Sequence, residues 1–400
     1  MQKVVLPNGI TVVYQHKPGN SAVVEVLVKV GSNHESPSER GISHFLEHIL
    51  FEGTKTRPTN RDISNEIERI GGDFNAYTTS ERTCFYVQVL RKHFPKAVEI
   101  LADIFENSFF AEKSIEKEKK IVLKEIDMIN DEPRFYQWLL FQKNLFIHHP
   151  CRYPTYGDSK VIRGLTRQKI LDYFHKHYIP QNIVVSIVGD LPRWKREIQN
   201  KFNLAAHRPQ SLSFTPERGV SKSITVREKR KIANTYTVLG FRTVPRSHPD
   251  SYVLDVINAI MGRGQSGKLF TEIRSKLGLA YDVGTQHVAE VSFGYFAAYA
   301  TIDRKKITIL KKRVLEEFQN LTKASLQDVQ EAKDYIEGSY LLELEDTQKV
   351  ADQLLFWENV RNAQDQNMYL KNIKKVALAD IIRVVLHYFH SETFVIIEGK

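Results

Sequence analysis

A chain of 400 residues with 42% hydrophobic and 26% charged side chains, 20 Gly and 14 Pro has the makings of a sizeable core, which excludes disordered and collagen-like classes. No apolar stretch approaches the roughly 20 residues of a bilayer-spanning helix, and this excludes a transmembrane protein. The net charge of +10 is confined to residues 151–250, with 19 Lys+Arg against 7 Asp+Glu; residues 1–150 and 251–400 each hold 19 against 20. That basic stretch lacks aromatic interleaving and reads as a solvated junction rather than a nucleic-acid platform.

The opening predicts a hairpin around Pro7-Asn8-Gly9, followed by an apolar run from Ala22 to Val30. A signal peptide would carry its apolar core where this turn stands, so export by that route is not expected. Cys84 and Cys151 form one disulfide at most, and a reducing cytoplasm is the simplest compartment. Ser36-Pro37-Ser38-Glu39 carries a capping residue, a proline at the first helical position and a glutamate three after the cap. It predicts a helix of about four turns that stops near Gly53. A helix over residues 60–70 ends at Gly71-Gly72, a strand pair covers residues 73–90, and helices resume near Lys96. A long charged helix starts at the cap Ser114 and runs to Asn130. A helix over residues 167–175 and the strand Ile183–Val188 close this half.

Pro209, Ser211, Ser213, Pro216 and Gly219 mark a linker over residues 207–222, between domains at 1–206 and 223–400. The second half repeats the first. Tyr178 and Tyr388 each precede an apolar strand that ends in a glycine 11 residues on, at Gly189 and Gly399. The run before Ser36-Pro37 resembles residues 235–244 before His248-Pro249, at a similar displacement. Two ordered matches at one offset predict a duplicated domain. The expected fold is α+β, each copy a mixed, mostly antiparallel sheet flanked by helices.

The helix after Ser36 carries His44-Phe45-Leu46-Glu47-His48. Histidines at i and i+4 share a helical face, so both imidazoles reach one ion with Glu47 beside them. A catalytic Zn2+ normally takes three protein ligands, so another must come from elsewhere. Glu118 and Glu125 lie two turns apart on one face of the charged helix. One carboxylate would bind metal while the other supports a ligand, or both belong to a solvated face with Lys117, Lys119, Lys120 and Lys124; spacing alone leaves these readings equal.

With these motifs the chain resembles the inverzincin metallopeptidases of the pitrilysin and mitochondrial-processing-peptidase group. The likeness rests on Leu6-Pro7-Asn8-Gly9, Gly41, the histidine motif, Gly71-Gly72, Asn75-Ala76-Tyr77-Thr78, the Glu118/Glu125 pair, Arg274 and Tyr281. It implies one Zn2+ per chain on His44, His48 and Glu125, with Glu47 as general base and Glu118 behind the ligands. It also implies a clamshell of two halves in which Arg274 and Tyr281 stabilise the oxyanion. Without it, Arg274 reads as a solvated helix residue and Tyr281 as a half-buried strand residue. Gly262, Gly264 and Gly267 resemble a mobile loop and lack the ending of a phosphate loop.

Aligning Pro37 with Pro249 sets Val256 and Ile260 where His44 and His48 stand, so the second copy lacks the ligands and holds substrate. The expected activity is zinc-dependent hydrolysis of short or unfolded peptides inside a closed chamber. The peptide would lie as an added strand along Phe74, Asn75, Ala76 and Tyr77. The implied assembly is a homodimer, or a heterodimer with a related subunit, with no nucleic-acid or membrane partner. The competing readings are a catalytically silent peptide-holding or assembly subunit and a basic RNA-binding protein acting through residues 151–250.

Overall fold

The alternating residues around Pro7-Asn8-Gly9 form the expected hairpin, β1 (Gln2–Val5) with β2 (Thr11–Gln15), in the computed structural model of the chain, which describes residues 1–204, 217 and 222–399. Gly9 turns the chain at φ +101, a left-handed value that favours glycine. The next strand, β3 (Ser21–Val28), is buried at every residue after Ser21, the pattern of a strand covered on both faces. β4 (Asp73–Thr78), β5 (Thr83–Leu90) and β6 (Ile183–Val188) complete a sheet of order β1-β2-β6-β3-β5-β4, in which β2 and β6 run parallel and the other pairs antiparallel.

Helices α1 (Ile42–Leu50), α2 (Asn60–Glu68), α3 (Phe94–Asn107) and α4 (Glu112–Asp131) follow the predicted order, with two shifts of boundary. Ser36 and Glu39 do bond to each other, Ser36 N–H donating to Glu39 Oε2 at 3.0 Å, but they close a turn, and α1 begins only after Gly41. It has 9 residues, fewer than the four turns expected. The charged helix starts at Glu112, so Ser114 lies inside it and is not its cap.

The second sheet comprises β7 (Ile224–Arg230), β8 (Thr235–Thr243), β9 (Ala280–Ala289), β10 (Gly294–Ile302) and β11 (Thr393–Gly399), in the order β7-β11-β8-β10-β9. Leaving out β1, this is the first sheet's order strand for strand, including the one parallel pair, β7 with β11. The start of β6 at Ile183 and of β11 at Thr393 are 210 residues apart, and those of β3 at Ser21 and β8 at Thr235 are 214 apart. The chain is thus two homologous α+β domains.

The compact units do not follow the linker. Among the described residues, the first gathers residues 1–127, 153–204 and 343–366, and the second residues 128–152, 217, 222–342 and 367–399. Both sheets fall on the expected sides of residues 206 and 223, but a helix has crossed in each direction. Helix α5 (Pro133–Leu145) packs Leu140, Phe141 and Leu145 with Val238, Val395 and Ile397 of the second sheet. The helix Thr347–Val360 packs Val350, Ala351, Leu354 and Leu355 with Val13, Val23, Leu27, Val184 and Val188 of the first. An apolar stripe announces that a helix must be covered, not which sheet will cover it. Apart from Glu217 and Lys222, the linker at 207–222 lies outside the described residues.

Candidate metal centre

The entry into α1 is built for close packing. Gly41 sits at φ +96, and a Cβ there would meet the Tyr156 carbonyl oxygen at 2.6 Å, so no larger residue fits. With no side chain at the cap, the carboxylate of Glu35 takes over: Gly41 N–H donates to Oε2 at 2.7 Å and Ser43 N–H to Oε1 at 2.9 Å. Burial pushes Glu35 up to about 7 despite these bonds. The folded chain therefore holds a proton there more tightly than the unfolded chain. The resulting stability is present below the ordinary carboxylate range and lost as pH rises through about 7. Urea titrations at pH 5 and pH 8 should show Glu35→Gln gaining stability relative to the parent at the higher pH, and an unchanged difference would refute this.

Phe45, Leu46 and Ile49 of α1 are buried, which fixes the helix and turns His44 and His48 together toward α4. Two turns apart on α4, Glu118 and Glu125 take different places. Glu125 Oε2 lies 3.3 Å from His48 Nε2 and 3.8 Å from His44 Nε2. Glu118, only 4% exposed, accepts from His48 Nδ1–H at 3.2 Å, and its other oxygen lies 3.3 Å from Lys117 Nζ. The ambiguity left by spacing is resolved as geometry: Glu125 faces the imidazole Nε2 atoms, and Glu118 holds one ring from behind.

These residues fit a zinc ion. The donor atoms of His44, His48 and Glu125 all lie within 4.8 Å of one another. Bonds of 2.0–2.2 Å in a tetrahedron put ligand atoms about 3.3–3.5 Å apart, close to the observed 3.3 and 3.8 Å. Burial holds His44 down at about 4, so its ring is neutral at neutral pH and open to a metal. Burial also pulls His48 down, but the hydrogen bond to Glu118 and the charges of Glu125 and Glu47 outweigh it and raise it. Burial favours the proton on Glu118, yet its bonds to His48 and Lys117 win and keep it ionised. Glu118→Ala should therefore weaken zinc binding by about 10–100-fold in competition with a chromophoric chelator, and an unaltered affinity would deny Glu118 this role.

Glu47 points from α1 to the end of β4, where the Thr78 hydroxyl donates to Oε2 at 2.6 Å. Burial raises its carboxyl, with Thr78 pulling the other way. The role of Thr78 went unnoticed in the sequence, although strand alternation sets it on one face with Phe74 and Ala76. β4 pairs only with β5 among the described residues and forms the edge of the sheet. Of the four residues expected to meet substrate, Asn75 is exposed and Phe74 and Ala76 half-buried, with the Phe74 ring on Phe51 at 5.2 Å. Tyr77 faces the other side of the sheet, where its hydroxyl donates to Asp352.

The family description Insulinase (Peptidase family M16) matches residues 11–159, and Peptidase M16 inactive domain matches residues 164–336. An uncharacterized zinc protease of Rickettsia felis is 34% identical over 342 residues, spanning 84% of this chain and 82% of the relative. The chain belongs to peptidase family M16. Another relative in this family, an uncharacterized zinc protease of Bacillus subtilis, is 30% identical over 85% of this chain and 83% of its own length. Among solved structures, a protease from Helicobacter pylori superposes with a TM-score of 0.95 at 22% identity, covering 100% of this chain and 99% of the other.

The M16 inactive-domain match meets a visible loss in the second unit. There the helix Asp250–Gly262 occupies the place of α1, and Val256 and Ile260 are buried side chains of its core. Arg274 lies on a π-helical turn, Phe270–Lys276, exposed, with its guanidinium 4.9 Å from the Phe270 ring centre. Tyr281 is on β9 and 63% exposed. Gly262 ends its helix, and Gly264 and Gly267 lie in the turn that follows. No helix among the described residues is long and apolar enough to cross a membrane.

Proposed function

We propose that this chain is a zinc-dependent endopeptidase acting on short or unfolded peptides. The observation that carries the reading is Glu47, a half-buried carboxylate held by Thr78 beside converging His44, His48 and Glu125. Zinc bound there supplies a Lewis acid that polarises the scissile carbonyl and makes water acidic enough to attack at neutral pH. His44, His48 and Glu125 hold the ion, and Glu118 keeps the His48 ring turned toward it. Glu47 takes the proton of the attacking water and delivers it to the departing amine nitrogen. Its raised affinity for a proton suits both halves of that transfer.

The outer edge of β4, without a strand neighbour among the described residues, is open to an extended peptide, and strand addition reads main chain more than side chain. Folded proteins cannot present such a segment, so flexible peptides are the substrates. The family resemblance assigns Arg274 and Tyr281 to the oxyanion, where removing one donor costs about 10²–10³-fold in turnover.

The test is cleavage of a quenched, unstructured peptide library by the purified chain, before and after removal of metal with a chelator. Hydrolysis that stops on chelation and returns with Zn2+ supports the reading. Zinc bound without cleavage of any peptide overturns it in favour of a silent peptide-holding subunit.

A further inference from the structure

On the face of the first sheet under the helix Thr347–Val360 lies a second group of ligand-type side chains. Glu25 on β3, Cys84 on β5 and Asp352 on that helix bring their donor atoms within 4.8 Å of one another. The strand register builds the cluster: Cys84 stands opposite Tyr77 on β4 and opposite Leu27 on β3, two residues along from Glu25 on the same face. Glu25 is wholly buried, and its Oε1 has no hydrogen-bond partner among the described residues. Its Oε2 receives only a long bond, 3.4 Å, from Gln348 Nε2. A buried carboxylate oxygen without a partner is costly and calls for a ligand or a proton.

We propose that Glu25, Cys84 and Asp352 form a second metal site, separate from His44, His48 and Glu125, that takes a thiophilic divalent cation such as Zn2+ or Cd2+. A thiolate with two carboxylates favours these ions over Mg2+ or Ca2+, which prefer all-oxygen shells. Asp352 is only half-buried and gives the ion a way in from the helix side.

Arg82, just ahead of β5, and Lys349 of the helix act on Glu25 as nearby cations, and the Tyr77 hydroxyl donates to Asp352. Cysteine binds metal as a thiolate, so entry of the ion sends the Cys84 proton to solvent. The three ligands come from two strands and from a helix more than 250 residues away in sequence, so the ion would pin that helix to the sheet.

The experiment is a Cd2+ titration of the full-length chain carrying His44→Ala and His48→Ala, read by thiolate-to-metal ultraviolet absorption and by proton release. The expected result is one Cd2+ per chain, thiolate absorption and proton release on binding. Asp352→Asn should weaken binding by about 100-fold or more, Cys84→Ser should remove the absorption, and Cys151→Ser should change neither. If the double histidine variant does not fold, the parent chain loaded with one Zn2+ takes its place and the second equivalent is measured. The proposal is overturned by a folded chain that takes up no stoichiometric Cd2+, by absorption surviving Cys84→Ser, or by binding indifferent to Asp352→Asn.

Discussion

Glu47→Gln should lower peptide hydrolysis by about 10²–10⁴-fold while bound zinc stays near one per chain. Glutamine fills the same space and keeps an oxygen for the Thr78 hydroxyl, so α1 and the two imidazoles should not move. It cannot accept the proton of an attacking water, and that single loss separates the base from the ligands. His44→Ala, by contrast, should lose metal and activity together. Metal content by atomic emission beside turnover of a quenched peptide distinguishes the two. A Glu47→Gln chain that cleaves at the parent rate would remove Glu47 from the chemistry, and one that has lost its zinc would make Glu47 a structural residue.

Leu354→Ala should destabilise the first unit by about 2–5 kcal/mol, although the substitution lies near the other end of the chain. Leu354 is fully buried against Val13, Val23, Leu27, Val184 and Val188, so its removal leaves a void under the first sheet. Hydrogen exchange gives the decisive readout. Amides of β3 and β6 should lose protection before those of β8 and β11. The reverse order would mean that the helix Thr347–Val360 stabilises the second sheet instead.

Strands and the histidine-bearing helix α1 were legible because their signals are local. The alternation around Pro7-Asn8-Gly9, the apolar run into β3 and the i, i+4 histidines each need only a few neighbouring residues. The repeat was legible because two tyrosine-to-glycine spacings and one strand-to-helix step recur in order. What failed depends on distant partners. The start of α1 shifted because Glu35, six residues ahead of Gly41, caps it from outside the helix. Glu118 and Glu125 shared a face on spacing, and only the approach of α1 gave one of them the Nδ1 side of His48 and the other the Nε2 side. Thr78 was visible as the end of a strand, but nothing local says that a hydroxyl there will meet a carboxylate 31 residues earlier. The exchange of α5 and the helix Thr347–Val360 was hidden for the same reason.

That exchange sets a clock on biosynthesis. The last strand of the first sheet, β6, ends at Val188, yet the helix that covers one face of that sheet begins at Thr347. At about 5–20 residues per second, roughly 10–30 s of translation separate the two. For that interval the finished strands present Val13, Val23, Leu27, Val184 and Val188 without their final cover. The nascent chain thus carries an exposed apolar sheet face until most of its sibling domain has been made. A chaperone that shields such a face, or slow codons placed after the last turn of the helix, would be expected to raise the yield of folded protein more than any change to the metal centre.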